Sequence, residues 1–143
     1  MDEFLVPNAS FKRLINEYIK YEQLIILVDF DNVLYDYYNI GSTHNMVIEL
    51  VKEAKLILNA EIVIWTGNIN IDFVKEYCTN NNIIFDGINE HSQKSVNYYN
   101  KLGSEPTRKI FGNILIDDRS GAIQVYQELE LLIWLVKQGI LKK

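Results

Sequence analysis

The chain reads as a three-layer α/β sandwich around a mostly parallel central sheet. Three observations predict this. Four short apolar runs, at residues 24–28, 62–65, 83–85 and 114–116, have strand length, and their solid rather than alternating pattern suits strands buried on both faces. Apolar stripes at helical spacing lie between the runs, so strand and helix alternate as in right-handed crossover units. Acids and a threonine stand where the apolar runs stop, and open α/β sheets keep their ligands at the carboxyl ends of strands.

Taken in order, Phe11, Leu14, Ile15 and Tyr18 follow Ser10 at helical spacing, which predicts a helix over residues 10–22 with Ser10 as its N-cap. This N-terminal extension, residues 1–22, is a lid or a docking arm on a domain spanning residues 23–143. Leu24 to Val28 forms the first strand. Met46, Val47, Leu50, Val51, Ala54, Ile57 and Leu58 make one apolar stripe and hence a helix. Ile62 to Trp65 is the second strand. A shorter helix carries Phe73, Val74, Tyr77 and Cys78 and stops at the turn-prone Asn80, Asn81 and Asn82. Ile83 to Phe85 is the third strand. Residues 86–108 are polar and irregular, with a short helix through Val96 to Leu102, and Ile114 to Ile116 is the fourth strand. The tail from Ser120 to Gly139 is either one long helix or a short helix followed by an edge strand at Leu131 to Val136.

Composition narrows the function. With 143 residues, 48% hydrophobic and 23% charged, the chain has the make-up of one ordinary globular domain. The longest apolar run, Leu131 to Val136, falls far short of the roughly 20 residues of a membrane span. Met-Asp-Glu lacks the basic-then-apolar order of a signal peptide, so a cytoplasmic protein without a membrane partner is expected. One cysteine, Cys78, excludes an internal disulfide and a cysteine-built zinc site, and two histidines, His44 and His91, exclude a many-histidine metal centre. Any metal is therefore a hard, oxygen-bound cation such as Mg²⁺. Fourteen basic against nineteen acidic side chains give a net charge of −5, which disfavours a nucleic-acid partner unless the lysines cluster.

The acids carry the chemistry. The first run ends in Val28-Asp29-Phe30-Asp31-Asn32-Val33. In extended chain, residues i and i+2 face one side, which would set Asp29 and Asp31 a few ångströms apart. Two such carboxylates need a cation between them, or one keeps a proton at a raised pKa. The last run ends likewise in Asp117-Asp118. Ile62-Val63-Ile64-Trp65 runs into Thr66-Gly67-Asn68, a hydroxyl, a flexible glycine and a stretch of backbone N–H groups suited to phosphate oxygens. Arg108 and Lys109 supply positive charge upstream of Asp117. Asp118 is also a candidate N-cap for the helix that follows.

These four pieces, in this order, resemble the four motifs of the haloacid-dehalogenase-like (HAD) hydrolase superfamily. Asp29-Phe30-Asp31-Asn32-Val33 is similar to the first motif, Thr66 to the second, Lys109 to the third and Asp117-Asp118 to the fourth, the likeness covering roughly residues 24–136. Arg108-Lys109-Ile110 through Asp117-Asp118-Arg119 also looks like small single-domain bacterial and phage members and polynucleotide-phosphatase-like relatives. Asn32 stands where many members carry glycine, and Val33 where threonine is usual. The resemblance implies a Rossmannoid fold and a Mg²⁺-dependent phosphatase in which Asp29 is the nucleophile and Asp31 the general acid and base. Thr66, Gly67 and Lys109, with Arg108 competing for the last role, would hold the phosphoryl oxygens. Asp29, the Asp31 carbonyl, Asp117 and Asp118 would hold the metal.

The spacing leaves no room for a cap domain, which implies an open site for an exposed phosphate monoester: a nucleotide, a nucleic-acid end or another large substrate. Tyr35, Tyr37 and Tyr38 of the flap over residues 35–42, with Tyr98 and Tyr99 in the later loop, could stack on a base, although packing is the commoner role of flap tyrosines. Trp65 and Cys78 are read as packing residues, and His44 and His91 as exposed residues without a role. The contrasting expectation is a non-catalytic binding or phage structural module. It would keep the metal site and dock a protein partner through the N-terminal helix or the apolar C-terminal tail ending in Trp134.

Overall fold

The computed structural model describes residues 2–141. Nine elements follow one another: α1 (Ala9–Tyr21), β1 (Ile25–Asp29), α2 (Asn45–Ile57), β2 (Glu61–Trp65), α3 (Ile71–Asn80), β3 (Gly87–Ile88), α4 (Gln93–Lys101), β4 (Ile114–Ile116) and α5 (Ala122–Lys137). The four strands form a single sheet in the order β3-β2-β1-β4, parallel throughout. The chain steps from β1 to β2 to β3 in one direction and then crosses back to place β4 on the other side of β1. The reversal of strand order therefore falls between β1 and β4, where two parallel carboxyl ends stand side by side.

Each face of the sheet is read from alternate side chains. Ile26, Val28, Ile62, Ile64, Ile114 and Ile116 face the main core, where Leu50, Val51 and Ala54 of α2, Val74 and Cys78 of α3, and Leu129, Leu132 and Ile133 of α5 cover them. The other face is thin: Ile25, Leu27 and Val63 pack against Ile110 and Leu115. The segment before β4 crosses that face so closely that a Cβ at Gly112 would lie 2.5 Å from the Leu27 Cγ. Glycine is required there by close approach, not by backbone conformation.

Helix α1 is packed on the domain. Leu14 and Tyr18 are buried in the main core, with Phe11 and Ile15 against it. Its N-cap is Asn8, not Ser10; the Ser10 hydroxyl instead donates to Glu128 Oε1 of α5 at 2.6 Å. In α2 the buried stripe includes Ile48 but not Met46, which is largely exposed at the first turn.

The third strand lies at residues 87–88 rather than 83–85. Ile83 is buried, but its N–H bonds Cys78 O at the end of α3, after Asn82 has taken a left-handed φ of 55°. Its apolar side chain thus closes a helix end. Asp86 then takes both backbone groups of Ile62, donating its N–H to the carbonyl at 2.6 Å and accepting the Ile62 N–H through Oδ2 at 2.7 Å, before the ladder begins. Residues 93–101, read as loop and short helix, are α4, so Tyr98 and Tyr99 are helical. The tail is one helix, with no edge strand at 131–136. No helix among the described residues is long and apolar enough to cross a membrane.

Candidate active site at the strand ends

Asp29 is the last residue of β1 and pairs in register with Trp65 of β2. On its other side Val28 pairs with Ile116, so Asp117 is the first residue beyond β4 at the level of Asp29. The parallel ladder therefore brings together acids far apart in sequence. One carboxylate oxygen each from Asp29, Asp117 and Asp118 lie within 4.8 Å of one another. Asp29 Oδ1 accepts the Phe30 N–H at 2.8 Å, and Asp117 Oδ1 accepts the Arg119 N–H at 2.8 Å. Asp118 is exposed and free to turn toward the cluster, because the N-cap of α5 is Gly121.

Burial pushes the Asp29 carboxyl up to about 6, its Phe30 hydrogen bond opposes this, and the charges of Asp117 and Asp118 together with a side-chain hydrogen bond to Asp118 add to it. No basic side chain among the described residues acts on it. None of the ion pairs among the described residues includes any of the three acids. Three hard oxygen donors at a partly buried point, with their mutual repulsion uncompensated by protein, fit the donor set of a small divalent cation.

Asp31 is not one of the three grouped acids. The chain leaves β1 at Asp29 and turns, with the Phe30 carbonyl accepting the N–H groups of Val33, Leu34 and Tyr35. Its carboxylate partner is Asn68, whose Nδ2 donates to Asp31 Oδ1 at 3.2 Å. The carboxylates that group with Asp29 are Asp117 and Asp118, from the end of the neighbouring strand. Asn32 has φ 62°, a left-handed conformation that asparagine or glycine adopts most readily, and Val33 is buried as bulk in the core.

Thr66 and Gly67 occupy the carboxyl end of β2. Thr66 is held from both sides by Asn89, at the end of β3: its N–H donates to Asn89 Oδ1 at 2.8 Å, and Asn89 Nδ2 donates to its carbonyl at 2.7 Å. The Thr66 hydroxyl accepts the Asn68 N–H at 3.0 Å, and a Cβ at Gly67 would meet nothing within 4 Å. Asn68 thereby links the second-strand turn to Asp31. Asn68 and Asn89 carry no signal of their own in the sequence, although Asn89 would follow from a correct placement of β3.

Lys109 lies in the exposed segment between α4 and β4, with its carbonyl accepting the Thr107 hydroxyl, and Arg108 beside it is exposed too. Neither is brought into an ion pair with the acids. The flap separates into two parts. Tyr35 stacks on Phe30 at 5.5 Å and meets Phe73 and Tyr77 edge-on at 5.0 and 5.2 Å, while Tyr77 donates to Leu34 O. Tyr37 and Tyr38 are exposed, and their rings meet edge-on at 5.5 Å. Trp65, read as packing, is 41% exposed beside Thr66. Tyr99 bonds Thr107, and half-buried His91 bonds Ser95 and the Thr107 carbonyl, so both are structural.

A parallel sheet with its strand order reversing beside a cluster of acids places the protein among the Rossmann-like α/β sandwiches. Among solved structures the chain is similar to a conserved protein from Bacteroides thetaiotaomicron, with a TM-score of 0.56, 20% identity, and coverage of 81% of this chain and 91% of that one. That likeness is one of fold. No protein-family model matches the chain, and no curated protein matches it in sequence.

Proposed function

We propose that the chain is a Mg²⁺-dependent phosphohydrolase that works through an aspartyl-phosphate on Asp29 and takes an exposed phosphate monoester. The observation that carries this reading is the convergence of Asp29, Asp117 and Asp118 at the β1/β4 reversal. Asp29, Asp117, Asp118 and the Asp31 carbonyl would hold the metal. When bound, Mg²⁺ supplies positive charge against the phosphoryl oxygens and favours the ionised form of Asp29.

The chain's own groups account for the rest. An Asp29 carboxylate oxygen forms a bond to phosphorus as the bond to the leaving oxygen breaks, and Asp31 gives that oxygen its proton. Asp31, now a base, takes a proton from water as the water oxygen attacks phosphorus; inorganic phosphate leaves and Asp29 is restored. The bond from Asn68 holds the Asp31 carboxylate near the Thr66 turn. The Thr66 hydroxyl and the Gly67 N–H, on a backbone that Asn89 fixes, would receive phosphoryl oxygens.

The test is hydrolysis of an aryl phosphate by wild type and Asp29→Asn, with Mg²⁺ and with EDTA. Turnover that needs Mg²⁺ and falls at least about a thousandfold in the variant is expected; full activity in Asp29→Asn would refute the mechanism. One observation favours the second reading, a non-catalytic binding or phage accessory module: neither Lys109 nor Arg108 meets the acids. Complete inactivity on a panel of phosphate monoesters, including 3′- and 5′-phosphorylated oligonucleotides, would select that reading.

A further inference from the structure

An acidic chain can hold a polyanion only where its basic side chains gather, and at one cleft they do. The cleft, about 820 Å³, opens between α1 and α4 beside the start of β1, and its walls include Lys12, Lys20, Lys94, Tyr21, Tyr98 and Phe111. Arg13 and Glu17 face it as well but are committed to neighbours: Arg13 Nη1 lies 2.9 Å from Glu17 Oε1, and Asn113 Nδ2 donates to Glu17 Oε2 at 2.6 Å. The remaining acid in the wall is the exposed Glu3.

Tyr21 is the centre of the cleft's charge. The Lys20 ammonium is 5.0 Å from its ring centroid and the Lys94 ammonium 5.9 Å, so two like charges lie near one exposed ring. Neither lysine belongs to an ion pair among the described residues. Lys94 is fixed in place: its Nζ donates to the Gln23 carbonyl at 3.1 Å, and its backbone N–H donates to Glu61 Oε2 at 3.2 Å. Burial lowers the Lys94 ammonium pKa, with the Glu61 charge opposing. Two ammonium groups close to one ring, neither in an ion pair among the described residues, leave positive charge in the cleft for an anion to meet. Tyr98 and Phe111 add aromatic surface to the same cleft, 60% and 46% exposed.

We propose that this cleft binds a nucleotide, with its phosphates on Lys20, Lys94 and Lys12 and its base against Tyr98 and Phe111. The volume is that of a small-molecule site, and aromatic rings with basic side chains are what a base and its phosphates require. A free nucleotide and the terminal unit of a strand share this chemistry. The site is separate from the acids, since Ile25 in the cleft wall and Asp29 stand at opposite ends of β1, about 13 Å apart at the usual strand rise. It does not depend on the phosphohydrolase reading.

The experiment is calorimetric titration of the full chain in EDTA, which silences metal-assisted phosphate binding at the acids. ADP, adenosine, pyrophosphate and a 5′-phosphorylated octathymidylate are the probes. ADP is expected to bind about tenfold tighter than adenosine or pyrophosphate, and Lys20→Gln and Tyr98→Ala each to weaken it about fivefold or more. Asp29→Asn should leave the affinity unchanged. Lys12→Gln, at a second exposed position, replaces Lys20→Gln should that variant fail to fold. Tighter binding of the octamer than of ADP names a strand end as the source, and the reverse a free nucleotide; both support the site. No heat at millimolar ADP, adenosine or pyrophosphate binding as tightly as ADP, or lysine variants with wild-type affinity would overturn it. A dimer that Tyr98→Ala dissociates would give the cleft to a second copy and overturn it too.

Discussion

Desolvation at the end of β1, opposed by the Phe30 N–H and reinforced by Asp117 and Asp118, raises the Asp29 carboxyl from 3.8 to about 6. An acid raised by folding holds its proton more tightly in the folded chain than in the unfolded one. The stability it contributes is therefore present at low pH and lost as pH climbs through about 6. Asp29→Asn removes that penalty. In EDTA at pH 7 the variant is expected to be more stable than wild type, by about 1 kcal/mol once the unscreened value of ~3 kcal/mol is discounted for a half-open site. Urea midpoints at pH 7 and pH 4.5 check this, and a variant less stable at pH 7 would contradict the crowding of the three acids. Gly112 offers a second test, because the Leu27 branch carbon at 2.5 Å cannot swing aside without disturbing the thin second face. Gly112→Ala should cost about 1–3 kcal/mol in thermal unfolding, and adding Leu27→Ala should cost less than the sum of the two single changes. Residue by residue, the acids at strand ends were legible because hydrophobic runs stop at them. The grouping of Asp29 with Asp117 and Asp118 came from the resemblance alone, because which carboxylate meets Asp29 depends on which strand lies beside β1, and no local pattern encodes that.

Elements with a single strong periodicity were legible, and those with competing uses for an apolar residue were not. β1, β2 and β4 are solid apolar runs with both faces covered, and α2 and α3 follow their stripes closely. Ile83 misled because closing the end of α3 buries an isoleucine as well as a strand does. The real β3 is two residues long and includes a glycine, too brief for any alternation to register. Its function in the fold is to deliver Asn89, which replaces ladder bonds at the end of β2 with side-chain bonds to both backbone groups of Thr66. Asn89→Ala should therefore lower stability by about 1–2 kcal/mol. Freeing the Thr66 turn should also raise KM for an aryl phosphate more than it lowers kcat. An unchanged KM would separate Thr66 from phosphate binding. Asn89→Asp keeps one acceptor and loses the donor, so its loss of stability should be smaller in acid, where the carboxyl regains a proton.

At the scale of the whole molecule, the fold places three acids where a net charge of −5 already opposes them, and no cationic side chain among the described residues pairs with the cluster. A parallel sheet makes this arrangement easy to build. All four carboxyl ends lie on one edge, and the return from β3 past β2 and β1 to β4 puts the single point where the strand order reverses between β1 and β4. The acids are thus costly in the metal-free protein, and on the proposed function a divalent cation among them would offset that cost. Because the unfolded chain has no such cluster, a cation held there would bind the folded state alone, and mass action would convert affinity into stability: about 2.7 kcal/mol at a hundred times the Kd, or several degrees in Tm for a domain of this size. Wild type is expected to melt several degrees higher in saturating Mg²⁺ than in EDTA, with the gain growing logarithmically with Mg²⁺ concentration. Asp117→Asn should start from a higher Tm in EDTA, since one repulsion is gone, and should gain much less from the metal. The crossing of those two effects is the discriminating result. Non-specific screening of an acidic surface would raise both proteins alike, and NaCl at matched ionic strength would reproduce it.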